Sequence, residues 1–103
     1  MDNDVTVTVS LTLKPDEADR FCEVMLPELQ KQTRAFKGVK SARAVRHAEH
    51  PTRVLFIDVF DSKEDVGAYF DWRKSTGDLD LLATLLSEPP TIEVWPTMAG
   101  SPG

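Results

Sequence analysis

Residues 53–73 constrain the fold more than any other stretch, because a buried strand passes there directly into an aromatic-rich helix. Residues 54–60 form a nearly unbroken apolar run rich in β-branched and aromatic side chains, which predicts a strand. Asp58 is the exception within this run, and leaving a buried carboxylate unpaired is costly. We therefore interpret Asp58 either as a structural residue paired with a group such as an Arg or a backbone N–H, or as a polar group that faces a pocket.

A helix is predicted to begin directly after this strand, with Asp61-Ser62 as its N-capping pair. Four side chains recur at the spacing of one helix face, and Trp72 borders them: Val66, Tyr69, Phe70 and Arg73. Tyr69 and Trp72 each combine a large apolar body with a polar tip. They are expected either to pack in the core or at a dimer contact, or to form the wall of a ligand cavity.

The N-terminal part of the chain predicts a strand followed by a helix. Residues 5–13 alternate strictly between apolar side chains and Thr or Ser, and the hydroxyl-bearing face includes Thr8. Those hydroxyls are expected to lie in solvent or along a pocket. Residues 16–37 predict a helix that is kinked near residues 23–27, because Pro27 removes a backbone hydrogen bond.

The remaining elements are short. Residues 39–47 have helix-leaning propensity, but their place before the strand at 53–60 favours a second strand in a hairpin with it. A short helix over residues 78–87 and a last strand over residues 91–96 are also predicted.

The predicted order is therefore β-α-β-β-α-α-β, an α+β fold of ferredoxin-like type with an antiparallel sheet and helices on one face. Apolar side chains on both sides of the strand at 53–60 require that the other sheet face also be covered. A second copy of the chain, packed sheet against sheet, is expected to cover it. A single domain is predicted over residues 1–97, with a loose tail over residues 98–103.

Composition restricts the class of protein. The 103 residues carry 12 Lys and Arg against 17 Asp and Glu, a net charge of −5, which argues against general nucleic-acid binding. No apolar run is long enough to span a membrane, and the N-terminus lacks the features of a signal peptide, so a cytoplasmic protein is expected. Cys22 is the single cysteine, and the histidines at 47 and 50 are not expected to form a metal site.

Four short motifs occur in order along nearly the whole chain: Lys14-Pro15, Phe36-Lys37-Gly38-Val39, the stretch from Phe56 to Glu64, and Glu88-Pro89-Pro90-Thr91-Ile92. Together they resemble the antibiotic biosynthesis monooxygenase family of dimeric α+β barrels. Members of that family usually carry Glu at the position of Asp58 and Trp at that of Phe60. They often place His where this chain has Tyr69.

The resemblance implies a homodimer with a small cavity in each subunit, between the helices and the sheet. Characterised members oxidise hydroquinones or polycyclic phenols with dioxygen and no metal or organic cofactor, and others cleave haem. The axial His of the haem-cleaving members corresponds to Leu79 here, and their strand-one Asn has no counterpart. Haem cleavage is therefore not expected, and the resemblance implies no cofactor.

The expected activity is oxidation of a small aromatic phenol or hydroquinone with dioxygen. Ionising a phenol of pKa about 10 at pH 7 costs about 4 kcal/mol, so a cation and a second hydrogen-bond donor would suffice to hold the anion. The candidate catalytic residues are Tyr69, Arg43 and His47. The candidate substrate-binding residues are Trp72, Asp58, Phe60, Phe56 and Thr8.

Two alternatives use the same fold: a non-catalytic dimer that binds or senses a ligand, and an isomerase or decarboxylase-like enzyme that uses the same cavity. A polar cluster in a closed apolar cavity would favour an enzyme. A cavity filled by Tyr69 and Trp72 themselves would favour the sensing dimer.

Overall fold

The computed structural model describes residues 4–98 and folds them into a four-stranded antiparallel sheet with helices against one face. The strands are β1 (Val5–Thr12), β2 (Val39–Arg46), β3 (Arg53–Phe60) and β4 (Thr91–Pro96), in the order β2-β3-β1-β4 across the sheet. The helices are α1 (Ala18–Arg20), α2 (Leu26–Ala35), α3 (Lys63–Ser75) and α4 (Asp78–Leu85). The predicted ferredoxin-like α+β fold is confirmed. Of the predicted tail, residues 99–103 lie outside the described residues.

The alternation of β1 decides which sheet face the helices cover. Val5, Val7 and Val9 are buried, whereas the intervening Thr and Ser side chains are only half-buried. Antiparallel pairing sets Val7 beside Asp58 and Val9 beside Phe56, so these residues share the helix-covered face.

The opposite face of the sheet carries the remaining side chains, and we call it the open face. Its residues are Thr6, Thr8 and Ser10 of β1, Arg43 and Val45 of β2, Leu55, Ile57 and Val59 of β3, and Glu93 and Trp95 of β4. Successive residues of a strand point to opposite faces, so a shift of one position exchanges the two sets.

The long helix predicted over residues 16–37 is divided where the chain approaches Pro27. A π-helical turn over Phe21–Met25 separates α1 from α2, and the N–H of Leu26 bonds to the carbonyl of Phe21, five residues back. Pro27 then lies in the first turn of α2, directly after the π-helical turn. The interruption predicted near residues 23–27 is therefore present as a wider helical turn.

The segment that leans towards helix by propensity is a strand, as predicted. β2 pairs antiparallel with β3, and Ala42 lies opposite Asp58. Gly38 turns the chain into β2 with a φ of 94°, and a Cβ at this position would collide with the side chain of Asp65. The turn therefore requires glycine, which alone adopts this conformation without steric cost.

α3 follows β3 with the predicted cap. The hydroxyl of Ser62 accepts a hydrogen bond of 3.2 Å from the backbone N–H of Asp65, which satisfies one of the free donors of the first turn. The buried residues of α3 are Val66, Tyr69 and Arg73, one face of the helix. Tyr69 and Arg73 therefore point towards the sheet and α2.

Candidate functional site

A cavity of about 80 Å³ lies between the helix-covered face of the sheet and helices α2, α3 and α4. Apolar side chains make up much of its wall, including Val9 and Phe56 from the sheet, Leu29 from α2 and Leu82 from α4. Six polar or charged side chains also reach it: Gln30, Thr33, Asp58, Tyr69, Arg73 and Asp78. The cavity thus combines a mostly apolar wall with a small group of polar atoms, as small-molecule sites commonly do.

Arg73 is the buried cation of this wall, only 4 % exposed. Its N–H groups donate at 2.8–3.0 Å to five acceptors: Tyr69 Oη, Gln32 Oε1, Asp78 Oδ2, the Leu29 carbonyl and Thr33 Oγ1. A guanidinium has five N–H donors, so all of them are used. Arg73 therefore fastens α2, α3 and the start of α4 together. Hydrogen bonds from Thr76 and Arg73 hold the pKa of Asp78 below its usual range.

The hydroxyl of Tyr69 belongs to the same network. Its oxygen lies 2.8 Å from Thr33 Oγ1, and Thr33 in turn lies 2.9 Å from the carbonyl of Leu29. A carbonyl only accepts, so Thr33 donates its single proton to Leu29 and Tyr69 donates its own proton to Thr33. In this arrangement Tyr69 has no proton to offer to a molecule in the cavity.

Asp58 and Gln30 supply the unsatisfied atoms of the site. Asp58 Oδ1 and Gln30 Oε1 are buried and have no hydrogen-bond partner among residues 4–98. The two residues are only 3 % and 6 % exposed. Burial raises the pKa of Asp58 to about 7, although the positive charges of Arg73 and Arg34 act in the opposite direction. Of the two interpretations of Asp58, the structure matches the one in which it faces a pocket.

The three aromatic candidates differ in their positions. Phe56 lines the cavity. Phe60 is completely buried in the core, with its ring centroid 5.4 Å from that of Tyr69. Trp72 stacks on Phe36 at 5.2 Å and lies 4.6 Å from the guanidinium of Arg73, a cation–π distance. Phe60 and Trp72 therefore support the wall from behind and do not line the cavity.

The structure separates two other candidates from Tyr69. Arg43 pairs with Ile57 across β2 and β3, and Thr8 pairs with Ile57 from β1. Both therefore lie on the open face, because their neighbours in the strands face the helices. The proposed pairing of Arg43 with Tyr69 is corrected: the cation beside Tyr69 is Arg73, one turn further along α3.

His47 also lies away from the cavity. It is exposed in the turn between β2 and β3, where its Nδ1 accepts hydrogen bonds of 3.0 Å from the backbone N–H groups of Glu49 and His50. These contacts stabilise the turn. His47 is thus not brought together with Tyr69 either.

Four of the six polar side chains of the cavity were not singled out from the sequence as site residues: Gln30, Thr33, Arg73 and Asp78. The spacing of Tyr69 and Arg73, four residues apart in a helix, is a signal that their side chains meet. Gln30 and Thr33 are three residues apart and share a face of α2 for the same reason. Polar residues in a helix are mostly exposed, so this spacing gains weight only once α2 is known to cover the sheet.

Among residues 4–98, no three His, Cys, Asp or Glu side chains come together in a way that could hold a metal ion. Within the same residues, no helix has the length and apolar character needed to cross a membrane.

A comparison with protein families identifies the family of the chain. The family description "antibiotic biosynthesis monooxygenase" matches residues 4–77, nearly three quarters of the sequence. The chain belongs to this family, as its motifs indicate. No curated protein is significantly similar to it in sequence.

Several solved structures share the fold. A conserved protein from Methanosarcina mazei Go1 superposes with a TM-score of 0.83 at 13 % identity, over 94 % of this chain and 95 % of the other. The NE2512 protein of unknown function from Nitrosomonas europaea gives a TM-score of 0.78 at 22 % identity, over 99 % and 96 %. A structure described as an antibiotic biosynthesis monooxygenase gives 0.79 at 16 %, over 95 % and 99 %. At these identities the likeness establishes the fold.

Proposed function

We propose that this protein is an oxygenase that oxidises a small aromatic phenol or hydroquinone with dioxygen, without a metal or organic cofactor. The observation that carries the proposal is Asp58, a buried carboxyl whose Oδ1 has no partner among residues 4–98, in the wall of a mostly apolar cavity. Family membership supports the reaction class. The polar cluster favours an enzyme over a ligand-sensing dimer, because Tyr69 and Trp72 leave the cavity open.

Asp58 is the proton acceptor in this proposal. A phenol has a pKa of about 10, so transfer of its proton to an ordinary aspartate of pKa about 3.9 costs about 8 kcal/mol. With the pKa of Asp58 raised to about 7, the same transfer costs about 4 kcal/mol. Burial of Asp58 thus removes roughly half of the cost of forming the phenolate, and the raised pKa suits a general base near neutral pH.

The substrate supplies the electrons. Its phenolate gives one electron to dioxygen, and the resulting radical pair either recombines or separates. Recombination at a CH₂ carbon of the ring system forms a C–O bond. Cleavage of the O–O bond then gives a ketone and one water, so CH₂ and O₂ become C=O and H₂O. In the other route, a hydroquinone loses a second electron and its second hydroxyl proton to the reduced oxygen before the pair separates. The hydroquinone and O₂ then become a quinone and hydrogen peroxide.

Tyr69 and Arg73 are positioning residues in this scheme. Their hydrogen bonds to Thr33 and Leu29 fix the wall opposite the sheet. Arg43, His47 and Thr8, which lie elsewhere, have no direct part in it.

An isomerase or decarboxylase-like enzyme is the second candidate function. A lone carboxyl with a pKa of about 7 also suits abstraction of a proton next to a carbonyl group. Such an enzyme would turn over its substrate without consuming oxygen, which separates the two candidates.

The proposed assembly is a homodimer formed through the open face. Trp95 is 51 % exposed and Val45 43 % exposed in the isolated chain, and Ile57 lies between them on the sheet. An apolar face of this kind is commonly buried against a second copy. Ile57→Glu is expected to convert the dimer to a monomer in sedimentation analysis, and an unchanged mass would contradict this assembly.

Oxygen consumption tests the function. Metal-stripped protein is expected to show saturable oxygen uptake with a hydroquinone, and Asp58→Asn is expected to lower kcat/KM by at least about 100-fold, the usual contribution of a general base. Asp71→Asn is the matched control, because it removes an exposed carboxylate of α3 that lies outside the cavity wall. Its uptake should equal that of the wild type.

Two outcomes would overturn the proposal. One is full activity in Asp58→Asn, provided that circular dichroism shows both variants folded. The other is the absence of oxygen uptake with every phenol, naphthol, anthrone and hydroquinone tested.

A further inference from the structure

The unpaired atoms of the cavity are both hydrogen-bond acceptors. Asp58 Oδ1 comes from β3 and Gln30 Oε1 from α2, so they reach the cavity from its two opposite layers. Buried polar atoms without partners are uncommon in proteins, and they are satisfied when a ligand brings the complementary group. The complement of two acceptors is a molecule with two donors.

The buried cation of the cavity wall, Arg73, has no free N–H group to donate to a ligand. All five N–H groups of Arg73 are bound to protein oxygens, at distances of 2.8–3.0 Å. A carboxylate or phosphate on the ligand would therefore have to break the contacts that join α2, α3 and α4. It would also lie close to the carboxyl of Asp58, with like charge. The electrostatics thus disfavour an anionic ligand.

The volume restricts the size of the ligand. A cavity of about 80 Å³ is well below the roughly 300–1,000 Å³ of drug-sized sites. The small cavity therefore favours a compact, planar ligand over a drug-sized one.

From these three observations we propose that Gln30 is a specificity-determining residue of this cavity. One hydroxyl of a small, neutral aromatic diol donates to Asp58 and the other donates to Gln30, which thereby recognises the second hydroxyl. This inference rests on the proposed function for the reaction, but it concerns binding and can be tested without turnover.

Binding is measured by isothermal titration under anaerobic conditions, so that no oxidation takes place, and at pH 8, above the pKa of Asp58. The ligands are benzene, phenol, the three isomeric benzenediols and 2,5-dihydroxybenzoate. Each hydroxyl is expected to lower the Kd by roughly tenfold, so the best benzenediol should bind about 100-fold more tightly than benzene. The benzoate should bind at least about tenfold more weakly than benzene-1,4-diol.

Gln30→Leu isolates the second hydroxyl. In this variant the best benzenediol is expected to bind no more tightly than phenol, while the Kd of phenol itself changes by less than about threefold. Lys31→Leu, at an exposed position of α2 outside the cavity wall, is the control and should leave every Kd unchanged. Equal tightening by the second hydroxyl in wild type and Gln30→Leu would overturn the role of Gln30.

The two proposals fail in different ways. Tight binding of a benzenediol without oxygen uptake would leave this inference intact and contradict the proposed oxygenase. Oxygen uptake with anthrones or anionic phenols, without measurable binding of any benzenediol, would support the oxygenase and overturn this inference.

Discussion

The two faces of the sheet differ in what their polar side chains do. On the helix-covered face, Asp58 lies against apolar side chains and three helices, and its carboxyl finds no partner among residues 4–98. On the open face, one position away in β3, Ile57 is flanked by Arg43 and Thr8. A polar group acquires unusual chemistry only on the face that is closed to water, because burial is what disfavours its charged form.

Arg73 and Arg43 differ in the same way. Arg73 is buried and saturated with hydrogen bonds, whereas Arg43 is exposed. When a buried charge is removed, its hydrogen-bond partners stay unsatisfied. When an exposed charge is removed, water forms hydrogen bonds with its former partners. Whether an arginine is buried or exposed in this fold therefore determines how much it contributes to the free energy of unfolding.

Removal of Arg73 is expected to have the largest effect. Arg73→Met should lower the free energy of unfolding by about 3–5 kcal/mol, because five acceptors lose their donors, several of them buried. Arg43→Met, compared in the monomeric Ile57→Glu background, should change it by less than about 0.5 kcal/mol. Urea denaturation of both variants measures the difference, and equal losses would break the comparison between the two faces.

The pH dependence of stability is the next expected effect. The folded protein keeps the proton of Asp58 up to about pH 7, whereas the unfolded chain loses it near pH 3.8. The folded state thus binds more protons between these values, and this contribution to stability is present below pH 3.8 and lost as the pH rises through 7. The loss amounts to about 4 kcal/mol over this window.

Asp58→Asn should remove this contribution from the slope of unfolding free energy against pH. Asp71→Asn, at an exposed position of α3, should leave the slope of the wild type in place. Denaturant unfolding at several pH values between 4 and 8 compares the three proteins. If the free energy of unfolding rises by the same amount from pH 4 to pH 7 in all three proteins, the burial of an unpaired carboxyl is contradicted.

Loss of the Tyr69 hydroxyl should have a smaller effect. Tyr69→Phe removes the acceptor of Arg73 Nε and the donor to Thr33, so a loss of about 1–3 kcal/mol is expected. Asp71→Asn, at an exposed position of α3, should lie within about 0.5 kcal/mol of the wild type. Thermal unfolding distinguishes them. If Tyr69→Phe is as stable as the wild type, the network does not depend on this hydroxyl.

The fold could be predicted from the sequence because its signals are local. The alternation in β1, the apolar run of β3 and the cap at Ser62 each specify an element, and their order specifies the topology. Even β2, which leans towards helix by propensity, was constrained by the turn at Gly38 and by the neighbouring strand.

The site could be predicted only in part because it depends on strand register and on helix packing. Asp58, Phe56 and Tyr69 lie on strongly patterned elements, and all three reach the cavity. β2 has small or charged residues on both sides, so its pattern does not fix the direction of Arg43. Gln30 and Thr33 became part of the site through the packing of α2, which no local pattern specifies.

The central claim is that Asp58 is an unpartnered carboxyl that gains and loses its proton near neutral pH. The direct measurement is a ¹³C NMR titration of the Asp58 side-chain carboxyl, assigned by comparison with Asp58→Asn. A midpoint at about pH 7 is the predicted result. A midpoint near or below the ordinary value of 3.8 would mean that a partner or water stabilises the charged form, and would contradict its role as the proton acceptor.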